Sequence, residues 1–234
     1  MAIRREKREE RREMSLSQYQ KEHLLQAIEA YAFPAEYFDF IMDRPEQQQD
    51  TRAVEAKIKA DLICGNTGRV KNGLSNVLYW GFSQMGFRWR RVSLFRANVT
   101  TSKLEAATQL FHTSLSPPLT EIGRLMLPQF SGVSFVSKIR MFLDPEKSAT
   151  LDLQIMKIRT SRPDTVLANV CVYETRIPIT AHNAKAYELW CRKMREISTK
   201  YFSGRIRAAD IERGFFQLVQ DNEVSLAGEI LGSA

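Results

Sequence analysis

The apolar residues of this chain recur three and four positions apart in one segment after another, and that spacing confines it to helices packed on helices. From Ser17 onward, Leu24, Leu25, Ile28, Tyr31 and Ala32 fall on one helical face. Between Ala181 and Tyr201 the same spacing returns at Ala186, Leu189, Trp190, Met194 and Ile197. Such stripes cannot stand alone in water, so several of them in one chain imply a mainly α domain built around a shared core.

Stop signals divide the stripes. Ala53 to Cys64 reads as a helix ended by Gly65-Asn66, residue types that accept the left-handed conformation at a helix end. Asn72-Gly73 marks a turn, followed by an apolar stretch from Leu74 to Phe82 closed by Gly81 and Gly86. Further helices are expected at Ser102 to His112, at Leu119 to about Leu127 after the Pro117-Pro118 break, and at Ser134 to Leu143 before the Asp144-Pro145 stop. Another starts after Asp152, and a last one runs from Ala208 to Gln220, capped by Asp210 or a neighbour. Residues 42–52 are polar, contain Pro45 and read as a connection. Val166 to Tyr173, rich in Val, Tyr and Thr, is the one β-like segment. Residues 4–13 are charged without exception, so 1–16 reads as a solvated arm and 17–234 as a single helical domain.

Composition narrows the function classes. A formal charge of +7 favours a polyanionic partner through counterion release. Cys64, Cys171 and Cys191 are odd in number and widely spaced, which suits free thiols in a reducing compartment. With only His23, His112 and His182 beside them, no metal-ligand spacing appears, and neither a metal nor another cofactor is expected. No apolar run approaches the roughly 18–20 residues that span a bilayer, and the charged beginning is unlike a secretory signal, so a cytoplasmic protein without a membrane partner is expected. Which proteins it would meet is not written in the sequence.

The stretch from Leu127 to Ile155 carries the chemistry. It reads Leu127-Pro128-Gln129-Phe130-Ser131-Gly132-Val133-Ser134-Phe135-Val136-Ser137-Lys138, runs on to the Asp144-Pro145 stop, and continues as Thr150-Leu151-Asp152-Leu153-Gln154-Ile155. A glycine-containing hairpin between two helices points backbone N–H groups and a helix N-terminus outward, which suits a phosphate. The lysine early in the second helix and the aspartate at the next helix start make this segment resemble the helix-hairpin-helix DNA glycosylases. More closely, the chain is similar to bacterial proteins with an 8-oxoguanine DNA glycosylase fold, over Gly73-Leu74-Ser75-Asn76-Val77-Leu78-Tyr79-Trp80-Gly81, Arg90 to Arg96, Tyr187 to Cys191 and Asp210 to Phe216. Lys138 precedes Asp152 by 14 positions, fewer than in most of that family.

The resemblance implies an N-glycosylase with Asp152 and Lys138 in its active site, acting on double-stranded DNA that carries a modified base, in a bacterial nucleoid. The base would be an oxidised purine, in repair, or a hypermodified phage base such as glucosylated hydroxymethylcytosine, in antiviral defence. A carboxylate beside the sugar stabilises the positive charge that builds as the bond breaks, and an amine could replace water as the nucleophile. Asp152 equally suits a plain helix N-cap, and Lys138 a phosphate contact. Gly132, Ser134 and Ser137 at the hairpin, and Arg88, Arg90, Arg91 and Arg96, are the candidate DNA contacts. Arg192, Lys193, Arg195, Lys200, Arg205 and Arg207 form a second basic group. Trp80 and Trp89 are candidates for the base pocket or a wedge, whereas Trp190, Phe215 and Phe216 read as core. Two other classes remain open: a DNA-binding module without chemistry, and an interaction domain for an acidic protein.

Overall fold

The computed structural model describes residues 15–234; the charged run at 4–13 lies outside them. The chain is mainly helical. α1 (Gln18–Ala30) opens on a capping box: the Ser17 hydroxyl accepts from the Gln20 N–H and the Gln20 side chain accepts from the Ser17 N–H. A two-stranded hairpin, β1 (Glu36–Asp39) and β2 (Arg44–Gln47), leads into α2 (Thr51–Ile63), capped by Asp50, and α3 (Thr67–Gly81), capped by Asn66. α4 (Arg88–Asn98), α5 (Thr101–Thr113), α6 (Leu119–Arg124) and α7 (Val133–Leu143) follow. After two short turns of helix, at Ile155–Lys157 and α8 (Ile158–Ser161), come α9 (Ala181–Phe202), α10 (Ala208–Gln220) and α11 (Val224–Ser233).

α3 is the central post. From Val70 through Trp80 nearly every residue is buried, and α2, α4, α5, α7 and β1 all pack on it. Its position explains why Asn72-Gly73 is not a turn. A Cβ at Gly73 would lie 3.0 Å from the Asp61 side chain and 3.1 Å from Leu62, so the glycine serves the close crossing of α2 and α3. Gly214 does the same for α10 on α1, where a Cβ would meet Ile28 at 2.7 Å and Leu24 at 2.8 Å.

The β-like reading of Val166 to Tyr173 is also overturned. Val166–Asn169 is a turn of 3-10 helix, and the backbone N–H and C=O of Cys171, which a strand would pair, are taken instead by the side-chain amide of buried Asn183 at 2.8 Å each. The hairpin lies where a connection was expected. Asn76 explains how a proline enters it: its side chain accepts from the Phe38 N–H at 2.8 Å and donates to the Phe38 carbonyl at 3.0 Å. Phe38 opposes Pro45, so that pair exchanges no ladder bonds and the missing proline N–H costs nothing.

Most expected helices keep their bounds, but α4 and α11 were not expected, so Ala208–Gln220 is not the last helix, and α6 stops at Arg124, short of Leu127. Ile63 ends α2, with Gly65 at φ +72°. Asp210 lies inside the first turn of α10 rather than at its cap, which is Arg207. Cys64, Cys171 and Cys191 are free thiols. Among the described residues no helix is long and apolar enough to cross a membrane.

Candidate active site

The end of α3, the middle of α7, the segment from Thr150 and one face of α10 converge on a cavity of about 120 Å³. Its walls are aromatic: Tyr31 and Phe33 from the segment after α1, Trp80 from α3 and Phe216 from α10. The Trp80 ring lies 4.3 Å from that of Phe33 and meets Phe142 edge-on at 5.2 Å. Polar atoms come from Lys138, Thr150, Asp152, Gln154, Glu212 and Gln220, while Gln84 and Met85 stand at the rim.

Lys138 and Asp152 face each other. The Lys138 side chain is 9% exposed and its Nζ lies 3.4 Å from Asp152 Oδ2. Two neighbours hold the lysine in place: the Ser134 carbonyl accepts from Nζ at 3.4 Å, and the Phe135 ring lies 5.3 Å below it. Gly81 is what allows this approach, since a Cβ there would come within 2.6 Å of the Phe135 ring and 3.2 Å of the lysine stem.

Asp152 divides its two oxygens between structure and site. Oδ1 accepts from the Gln154 and Ile155 N–H groups at 2.9 and 3.2 Å, while Oδ2 is the atom turned to Lys138. Asp152 therefore caps the turn with one oxygen and turns the other to Lys138 at the cavity. The segment leading to it is fixed from two sides. Trp190 Nε1 donates to the Thr150 carbonyl at 2.9 Å, and wholly buried Ser137 accepts from the Leu151 N–H at 3.1 Å. With its hydroxyl enclosed, Ser137 is not a DNA contact but the pin between α7 and the Asp152 segment.

Glu212 was not singled out in the sequence as a site residue. It is 5% exposed, yet it lines the cavity together with Phe216 and Gln220, one and two turns further along α10. Burial first, and the negative charge of Asp152 second, push its carboxyl up to about 8; Lys138, Arg213 and the Thr150 amide oppose them. Beneath it Arg213 donates to Asp210 at 3.1 Å and to Glu55, and Arg207 donates to Glu55 at 2.7 Å and to Asp210 at 2.7 and 2.8 Å. That buried network locks the first turn of α10 to α2 and so sets where Glu212 stands.

The remaining candidates scatter. Trp80 is a cavity wall, too enclosed to enter a base stack. Trp89 is 48% exposed and packs on Phe38 and Tyr79 in a shallow groove next door, which shares Gln84 and Met85 with the cavity. Arg88 is spent on Glu36 at 2.6 Å and on the Ser83 carbonyl, and Arg96 on Asn72 and Ser75 while lying over Phe40. Both hold the fold, which corrects their reading as phosphate contacts. Arg90 and Arg91 are exposed, the latter bonded to Gln129 at 2.9 Å beside the α6–α7 connection. Gly132 caps α7, but the first helical N–H, that of Val133, donates to the Ile177 carbonyl at 2.9 Å, and a Cβ at Gly132 would press on that same oxygen at 3.3 Å. Ser134 is half-buried. None of Arg192, Lys193, Arg195, Lys200, Arg205 and Arg207 lines the cavity.

No protein-family model, curated protein or solved structure matches this chain, and the helix-hairpin-helix resemblance gains no support from that quarter. The geometry of the cavity alone carries the functional reading.

Proposed function

We propose that this chain is a DNA N-glycosylase of the helix-hairpin-helix type, which draws a modified base out of duplex DNA and cuts its bond to the sugar. The observation that carries the reading is the Lys138–Asp152 pair, 3.4 Å apart at the edge of an aromatic-walled cavity. The glycosidic bond is out of reach inside the stack, so such an enzyme needs a pocket that receives a single base. The cavity of about 120 Å³ is smaller than the roughly 150 Å³ that takes up benzene, so it would receive one edge of a base while the rest of the ring system lies at the exposed Gln84–Met85 side. Trp80, Phe33 and Phe216 offer faces for that ring, and larger substituents are directed to the Gln84–Met85 rim.

Asp152 Oδ2 is free of capping duty and stands where it can stabilise the cationic sugar and take a proton from water. Lys138, once deprotonated, is the alternative nucleophile and would form an imine with the sugar. Exposed Arg90 and Arg91 are the phosphate contacts nearest in sequence to the rim. The target is an oxidised purine or a hypermodified phage base such as glucosylated hydroxymethylcytosine. Incubation with duplexes carrying 8-oxoguanine, uracil, alkylated purines or glucosylated hydroxymethylcytosine, read by mass spectrometry of free bases, tests the proposal. A released base supports it and names the substrate. Silence across the set with tight DNA binding would make the chain a DNA-binding module without chemistry.

A further inference from the structure

An N-glycosidic bond breaks with its electron pair staying on the base, and a neutral base leaves slowly unless a proton meets that charge. Lys138 and Asp152 act at the sugar and leave the base side of the bond unserved. Glu212 lies on another wall of the same cavity, supplied by α10 and held there by the Arg213–Glu55–Asp210 network. We infer that Glu212 is the acid that protonates the departing base, at a ring nitrogen or carbonyl oxygen, a proton that a neutral base needs and an N-alkylated purine cation does not.

This rests on the glycosylase reading and adds the step that reading lacks. In that step the C1′–N bond breaks and the Glu212 proton goes to the base. Water forms the new C1′–O bond and gives its proton to Asp152. Glu212 is left as carboxylate beside a protonated Asp152, and solvent exchange restores both. The charged and titratable groups around Glu212 favour its acid form before the reaction. Asp152 repels its charge from the loop and burial disfavours it, against Lys138 on α7, Arg213 on its own helix and the Thr150 amide; Tyr31 faces it from the end of α1 as a neutral phenol, its ionisation also suppressed by burial. A carboxyl held up to about 8 is a donor at neutral pH, and the sign follows: the rate falls as pH rises through that value.

Glu212→Gln keeps the shape and a hydrogen-bond donor but has no proton to transfer. Base release from duplexes carrying 8-oxoguanine or uracil, whichever the wild type accepts, should fall by about 10²–10⁴-fold with DNA affinity unchanged. For 7-methylguanine, already a cation, the fall should be smaller than for the neutral base by at least about tenfold, by the same reasoning on the missing proton. An equal loss on both kinds of base overturns the inference. Difference infrared spectroscopy supplies a readout independent of turnover: a carboxylic-acid carbonyl band in the wild type, absent from Glu212→Gln, that fades as pH is raised through 8. If no such band exists, Glu212 is ionised and the inference falls while the glycosylase reading survives. If the band is present but the wild type releases no base, the glycosylase reading fails and takes the role of Glu212 with it.

Discussion

Asp152→Asn separates the two duties of that residue, because asparagine caps a helix about as well as aspartate. The amide oxygen can still accept from the Gln154 and Ile155 N–H groups, so the turn at Ile155–Lys157 should persist. Lys138 loses its ionic partner, but the loss is offset within the cavity. The Ser134 carbonyl and the Phe135 ring remain as partners of Nζ, and the loss of the Asp152 charge eases the upward push on the Glu212 carboxyl while burial still holds it up. Thermal stability should therefore change by only about 2–4 °C, equivalent to roughly 1 kcal/mol in a chain of this size.

The chemistry has no such compensation. A carboxylate about 4 Å from the developing sugar cation, at an effective dielectric near 20, is worth about 4 kcal/mol. Removing it should slow base release about 10³-fold. Single-turnover release of free base by mass spectrometry, with melting of the variant followed in parallel, measures both effects. Asp152→Ala is the control that loses the cap as well, at about 1 kcal/mol more. Release by Asp152→Asn within about tenfold of wild type, which is under 1.4 kcal/mol, would remove Asp152 from the reaction. A melting point lowered by far more than a few degrees would make it a structural residue.

Three further outcomes follow from the same geometry. Lys138→Gln should abolish any borohydride-trapped protein–DNA adduct, and trapping that persists would assign the amine to another residue. Gly81→Ala places a methyl 2.6 Å from the Phe135 ring and 3.2 Å from the Lys138 stem, so overpacking of about 1–3 kcal/mol should accompany a loss of base release at unchanged DNA affinity, checked by melting and single-turnover assay together. Replacing Arg90 and Arg91 by Gln should flatten the dependence of log K on log salt by about 2, close to 0.9 per phosphate contact, and an unchanged slope would move the DNA-facing surface elsewhere.

The helices were legible wherever a stripe and a stop signal coincided. Gly65 after α2, Pro117-Pro118 before α6 and Asp144-Pro145 after α7 are punctuation whose cause is local, so a sequence shows it. Asn72-Gly73 carries the same local signal, yet the glycine there answers to Leu62 and Asp61 on another helix. Asn183 lies 12 positions from Cys171 and removes its strand pairing, just as Asn76, 38 positions from Phe38, makes room for Pro45 in the hairpin. Each of these errors has one buried amide or one close crossing behind it, and none of these partners is a sequence neighbour.

The site divides the same way. Lys138 and Asp152 are 14 residues apart on either side of one stop signal, and a local motif could suggest both. Glu212 comes 60 residues after Asp152, on a helix whose neighbouring Arg213 is engaged below the cavity. Its one trace in the sequence is a carboxylate set among Ala208, Ala209, Ile211 and Phe215, all of them buried, with Phe216 and Gln220 repeating its face at four-residue intervals. A charged residue that is itself buried has either a buried counter-ion or a suppressed charge. The Arg213 and Arg207 guanidinium groups donate to Glu55 and Asp210, and at Glu212 burial and the Asp152 charge prevail over Lys138 and Arg213. The salt-bridge network thus holds α10 in place, while burial and the Asp152 charge outweigh Lys138 and Arg213 and keep the Glu212 carboxyl pushed up.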